Sequence, residues 1–493
     1  MNEDDARRVL LVRAVETEDT AEALLTREDR QAATAVGLAG GVDRSRPNSP
    51  KSDERFLAAR ADFAFGRLAT RFPLVERAAR ASHWPRWVGW VVPVAAFVLG
   101  LLTNEVGNGK RLNLIAFPLL GMLAWNAVVY LLLLAHLAGP LLRRGHRRSR
   151  LGGWLERRIA PRLDQAQPLG RALARFAREW TQYAGRLTSA RIARTFHLGA
   201  AAFAGGVVTG LYARALGVEY RAGWESTFLN ADAVHAILRL ALSPASIATG
   251  IALPGPEYLA TLRWSAGPGE VAGPWIHLYA ATAALFIVLP RLLLATGGAL
   301  QAARLRRRLP VPGREDFYVR RLLRTAHGGG AEARVIPYAY QPPVEMRGTL
   351  SDLLTAALGD GTRVRVDTAV AYGAEDEWLT RDTIGEGVDY AVVLFNLGST
   401  PEAENHGAFI AGIQRLIAGT GAALTAVLDE SGFRARVGVG ARLDARRTAW
   451  ERVLAERGVQ PFVADLSAGV ESALVRRLEA ALVRSPTLGA ARK

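Results

Sequence analysis

The 493-residue chain contains no cysteine. That excludes disulfides, thiolate metal sites and cysteine nucleophiles. Lysine is nearly as scarce, occurring only at Lys51, Lys110 and Lys493, so the net charge of +16 is carried by arginine. Phosphate-cradling motifs are missing too. The one Gly-Lys pair, Gly109-Lys110, is followed by arginine. Without G-x-x-x-x-G-K-[ST] the chain is not a P-loop NTPase by sequence. No metal-ligand spacing of the H-E-x-x-H type occurs. The opening stretch MNEDDARRVLLVRAVETED is acidic and lacks the apolar core of a secretory signal peptide.

What is abundant is apolar sequence. Half of the residues are hydrophobic although 22% are charged, so the apolar residues must be clustered. Four long runs carry them. WVGWVVPVAAFVLGLL predicts a span over about 87–106, extended by the tryptophans that precede it. LNLIAFPLLGMLAWNAVVYLLLLAHLAGPLL predicts one over 112–139. FHLGAAAFAGGVVTGLYARAL, rich in small residues that let helices approach in lipid, predicts 196–216. PWIHLYAATAALFIVLPRLLLATGGAL predicts 274–297, with a kink at Pro290. The expected membrane domain covers 83–302, after N-terminal helices in 1–82 that are expected on the cytoplasmic side.

Orientation follows from arginine. Residues 143–194 hold fourteen arginines and three acids, whereas the 217–273 loop holds three arginines and five acids. The positive-inside rule then places 143–194 and both termini in the cytoplasm and the 217–273 loop on the other face. Basic helices in 143–194 are expected either on the inner leaflet or as a hairpin packed on the protein body. Because the basic charge is taken up at the membrane surface, no nucleic-acid partner is expected.

The stretch YRAGWESTFL (220–229) directly follows the third run. A helix there would stack Tyr220, Trp224 and Phe228 on one face and pair Arg221 with Glu225. These five residues are candidates for locking the outer loop onto the spans. The following NADAVHAILRLALSPASIATGIALPGPEYL is apolar but broken by Pro244, Pro254 and Pro256, which leaves 240–260 as a re-entrant or a surface-lying cap. Asn126, His136 and His197 are the candidate polar groups within or beside the spans; such groups mark pathways or serve as interhelical glue.

Residues 303–332 read as a linker, and the character changes after it. Strand patterns such as VDYAVVLFNLG alternate with helical patterns such as TLSDLLTAALG, predicting an α/β domain over 333–485 with a doubly wound, mostly parallel sheet. Ligands favour the carboxyl ends of such strands. That edge would carry Tyr338, Tyr340, Asp367, the loop LGSTPEAENHG and Asp429-Glu430-Ser431. Glu402, Glu404, Asn405, His406, Asp429 and Glu430 are candidate partner-docking residues. In the loop, Thr400 and Pro401 also fit a helix cap, and Glu402 with His406 leaves a metal or hydrolytic site open.

The strings RLNLIAFPLLGMLAWNAVVYL, YRAGWESTFL and STPEAENHGAF together resemble an uncharacterised bacterial inner-membrane family, a domain of unknown function. The resemblance covers about residues 55–480. It implies a gene often encoded beside a GTPase, and hence a membrane partner for that GTPase. It implies no catalytic residue and no cofactor. The expectation is therefore a four-span inner-membrane scaffold or receptor, non-enzymatic and homo-oligomeric, docking a cytoplasmic GTPase through its α/β domain. Alternatives are an oligomeric channel or transporter, and a membrane-anchored enzyme at the strand-end edge.

Overall fold

The computed structural model describes residues 1–484 except 20, 42–48, 104–109, 116, 139–166, 315, 360, 382, 383, 385, 386, 419 and 421. The chain is mostly helical and divides into two compact units. One holds 83–152 and 182–308, and the other holds 1–82, 153–181 and 309–493.

The hydrophobic unit contains two helices long and apolar enough to cross a membrane, Gly185–Gly217 and Gly273–Arg307. The other two expected spans are shorter. The first is a helix over Val88–Leu102, 15 residues or about 22 Å, short of a hydrocarbon core of about 30 Å. The second begins only at Phe117 and runs to Ala138, because the residues before it form a strand instead. That strand is β1 (Arg111–Asn113). It pairs in parallel with β2 (Arg221–Gly223), which pairs antiparallel with β3 (Glu270–Val271). Backbone groups from three distant segments thus satisfy one another, as a chain leaving a helix must arrange.

Glycine sets how closely the helices of this unit approach. A Cβ on Gly100 would collide with the Phe203 carbonyl, and one on Gly206 with the Phe97 carbonyl. Gly206 and Gly210 form a G-x-x-x-G pair against helix Val88–Leu102. The outward faces are strongly apolar: Trp90, Leu99, Trp125, Leu131, Phe196 and Leu293 are each more than 60% exposed. The apolar 231–249 stretch, expected to be interrupted, is one helix, Ala231–Thr249. Asn230 caps its start, Pro244 is tolerated inside it, and Gly250 ends it in the left-handed region.

The second unit carries the α/β domain. Its strands are β4 (Glu332–Pro337), β5 (Arg363–Val366), β6 (Tyr390–Asn396), β7 (Ala423–Asp429) and β8 (Phe462–Ala464). All pairs are parallel, in the order β5-β4-β6-β7-β8. This is the doubly wound arrangement with its switch point between β4 and β6. The continuous apolar run in β6 is explained by burial on both faces. Tyr390, Val392 and Leu394 join helices Val344–Leu358 and Ser472–Arg484 on one side. Ala391, Val393 and Phe395 join helices Ala408–Leu416 and Ala441–Ala455 on the other.

The expected linker at 303–332 is structured. It holds the helix Phe317–His327, whose side chains reach both the N-terminal helices and the sheet. Tyr318 donates to Glu16 at 2.8 Å, and Glu16 pairs with Arg60 at 2.9 Å, both ion-pair side chains being 5% exposed. His327 meets the buried Asp53 at 2.8 Å. Arg321 reaches Glu479 at 3.2 Å, and Arg324 pairs with Asp389. Of the expected basic helices, residues 143–166 lie outside the described residues. The helix Pro168–Tyr183 packs on the N-terminal helices: Trp180 is buried beneath the Arg7 guanidinium and donates to the Ser82 carbonyl at 3.3 Å. That helix is packed on the protein body.

Candidate functional site

The carboxyl ends of β4, β6 and β7 bring the strand-edge residues together. Tyr338 leaves β4 and donates to Glu375. Ala339 follows in the left-handed region, with φ 49°, a conformation that a residue with a Cβ rarely adopts and that tends to mark functional positions. Tyr340 then donates to Asp429 at 2.6 Å. Burial and these carboxylate acceptors push both phenols well above their ordinary range. Asp367 is taken up by Arg334 at 2.6 Å and Arg365 at 3.0 Å.

The six candidate docking residues separate into two groups. His406, Asp429 and Glu430 are buried, so they do not form a contact surface. Asp429 also accepts from the Ser431 N–H at 3.0 Å, and Glu430 takes a bidentate pair from Arg447 at 2.7 Å. His406 sits edge-on to Tyr338, Phe395 and Trp450. Its Nδ1 accepts the Glu402 N–H at 3.2 Å, so the lone backbone donor explains its place. Burial holds its pKa below the ordinary value, against the opposing pull of Glu402. Among the described residues no group of three metal-ligating side chains exists.

Glu402, Glu404 and Asn405 remain at the surface or partly so. The helix expected to be capped by Thr400 begins later: Glu402 is extended, and its carbonyl accepts from the N–H groups of His406 and Gly407 at 3.0 and 3.2 Å. The Glu402 carboxylate accepts from Asn405 at 2.5 Å and Tyr372 at 3.1 Å, and those hydrogen bonds lower its pKa. Beside them an open groove of about 450 Å³ is lined by residues including Ala371, Ala374, Glu377 and Trp378.

In the hydrophobic unit, the expected helix over 220–229 is not formed. Arg221 and Ala222 lie in β2, and Trp224 bridges to Arg263. Strand pairing breaks the four-residue spacing that a helical stripe needs. Trp224 is 1% exposed while Phe228 is 95% exposed, and Tyr220 lies between. Arg221 pairs with Glu219 at 3.2 Å rather than with Glu225, whose side chain stays exposed. The lock is Trp224 alone: its indole donates to the Leu259 carbonyl at 2.7 Å, and Arg263 stacks on its ring at 5.2 Å.

Two of the three polar candidates within the helices meet. Asn126 accepts from Arg291 Nε at 2.9 Å and Nη2 at 2.7 Å, and His197 Nδ1 faces Arg291 Nη1 at 3.1 Å. The side chain of His136 lies outside the described residues. Arg291, which is 6% exposed, is not among the three candidates: it follows Pro290 inside an apolar run that predicts only a kinked span. A lone arginine inside FIVLPRLLLATGG was the signal available.

A model of the family described as "Protein of unknown function (DUF2868)" matches residues 154–414, more than half of the chain. The chain belongs to this family. No curated protein and no solved structure matches. The DUF2868 match is narrower than the resemblance read from sequence. It takes in His197, Trp224, Arg291, Tyr338, Glu402 and His406, and leaves out Asn126, Asp429 and Trp450. The two units both contribute to it, so the family model does not correspond to the α/β domain alone.

Proposed function

We propose that this DUF2868 protein is a membrane receptor or scaffold that docks a soluble partner on the acidic edge of its α/β domain. The observation that carries the reading is the division of labour among the edge acids. Asp429 and Glu430 are consumed by internal partners, while Glu402 and Glu404 face outward beside the open groove at Trp378. A surface of that kind suits recognition of a basic patch rather than acid–base chemistry. The enzyme reading at this edge finds its inner acids already engaged.

Membrane insertion draws support from the two long apolar helices and from the outward leucines and tryptophans of the hydrophobic unit. Four spans, both termini in the cytoplasm of a bacterial inner membrane and self-association complete the proposal. The 15-residue helix Val88–Leu102 then spans by thinning the bilayer or recruiting flanking residues. The partner is a GTPase, as the neighbouring gene of the resembling family implies. The alternative, an oligomeric channel or transporter, draws support from one observation, the buried Arg291 cluster.

The test is binding of the full-length protein in detergent to a GTPase encoded beside its gene. Glu402→Arg with Glu404→Arg should raise Kd about tenfold or more while the far-ultraviolet circular dichroism stays unchanged. Unaltered binding by that folded double variant would contradict docking at this edge.

A further inference from the structure

The hydrophobic unit holds a permanent positive charge that no described carboxylate offsets. Arg291 lies near the middle of the 35-residue apolar helix Gly273–Arg307 and is 6% exposed. Its neighbours on that helix, Leu289, Leu292 and Leu293, are all exposed, so the arginine is turned inward. A guanidinium does not lose its proton in a protein. A charge at such a position is costly and ordinarily marks a site, or is paired with an opposite charge.

Its described partners are neutral. Asn126 Oδ1 takes two N–H groups, His197 Nδ1 takes one, and the Tyr130 ring lies 5.1 Å from Cζ with its hydroxyl also in hydrogen-bond contact. Each partner has its own proton turned elsewhere or away, so each presents an acceptor to the guanidinium. Asn126 turns its amide N–H to the Met122 carbonyl at 2.8 Å, which fixes Oδ1 toward the arginine. Tyr130 donates its own proton to the Phe286 carbonyl at 3.1 Å. Because a guanidinium only donates, His197 Nδ1 must accept, and the ring proton sits on Nε2. The cluster is therefore in excess of donors and carries one net positive charge. A cation finds no free acceptor here; an anion finds both charge and N–H groups.

We infer that the guanidinium of Arg291, through the N–H groups that its neutral partners leave over, forms a binding site for a small monovalent inorganic anion of the chloride class. One unopposed charge sets the valence. The turn preceding the arginine, Ala284–Val288, is a π-helix, a widened geometry that frequently accompanies functional positions in long helices. The inference needs no transport and no GTPase; it concerns binding in the purified protein.

The experiment is thermal unfolding of the full-length protein in detergent, in sodium chloride against sodium gluconate at equal ionic strength. Chloride should raise the midpoint of the wild type by about 2–4 °C. Arg291→Gln should abolish that difference. Should Arg291→Gln not fold, Asn126→Asp decides. It is close in shape to the native residue and supplies the missing negative charge in place. It should raise the midpoint in gluconate and remove the response to chloride. A wild type indifferent to chloride would overturn the site, leaving Arg291 an interhelical tie or a partner for an acid from a second copy. A chloride response that persists in Asn126→Asp would overturn it as well, by placing the anion elsewhere.

Discussion

The Tyr130 hydroxyl donates a hydrogen bond to the Phe286 carbonyl at 3.1 Å. Pro290, four residues beyond Phe286, has no N–H to give that carbonyl, so a neighbouring helix supplies the donor instead. Tyr130→Phe should destabilise the hydrophobic unit by about 1 kcal/mol, the usual range for an interhelical hydrogen bond in lipid-facing helices. In a Pro290→Ala background, which restores the N–H, the same change should cost less. Unfolding in detergent of the two single variants and the double variant measures the coupling, and strict additivity would contradict the capping role.

Trp224 should dominate the stability of the 217–273 segment. Trp224→Ala should cost about 3–5 kcal/mol, since it empties a buried volume and removes the indole hydrogen bond to the Leu259 carbonyl. Arg221→Ala and Glu225→Ala should each stay within about 0.5 kcal/mol, as exposed residues without a mutual ion pair do. Thermal midpoints of the three variants check the contrast.

The helix Phe317–His327 should be indispensable to the N-terminal helices. Arg60 and Glu16 are both buried, and Tyr318 bonds to each. Arg60→Met leaves Glu16 charged and unpaired, which should cost about 3–5 kcal/mol. The double variant Arg60→Met with Glu16→Leu should be milder than Arg60→Met alone. Protease sensitivity of residues 1–82 in the full-length protein is the readout.

His406 should make the α/β domain sensitive to acid. Burial depresses its folded pKa below the ordinary 6.5, so between those two values the unfolded chain binds more protons than the folded one. The stability it contributes is fully present above pH 6.5 and is lost as pH falls through the folded value. Urea midpoints of the full-length protein between pH 7.5 and 5.5 should fall less steeply in His406→Gln than in the wild type. Equal slopes would mean that the ring is protonated equally in both states.

The α/β domain was legible because its strands announce themselves. Residues 390–395 are apolar without a break, and a run of that kind suits a strand covered on both faces. The hydrophobic unit was legible as apolar runs but not in its ends. Nothing in RLN or RAG signals that Arg111–Asn113 and Arg221–Gly223 pair across more than a hundred residues, because pairing of short strands is decided by tertiary contact. The spacing of Tyr220, Trp224 and Phe228 fitted a helix equally well, and Trp224 alone turned inward. The strand-edge residues gather at the carboxyl ends of β4, β6 and β7. Their burial was not readable, since Asp429 and Glu430 are charged residues whose partners Tyr340 and Arg447 lie far away in sequence.

The proposed topology puts the α/β domain and the 217–273 segment on opposite sides of a membrane. The protein has no cysteine, so single cysteines report without background. Ser265→Cys and Thr448→Cys each replace an exposed residue, one in that segment and one in the α/β domain. In intact cells an impermeant maleimide should label position 265 and spare position 448 until the membrane is opened. Labelling of 448 with protection of 265, or equal labelling of both, would contradict the account.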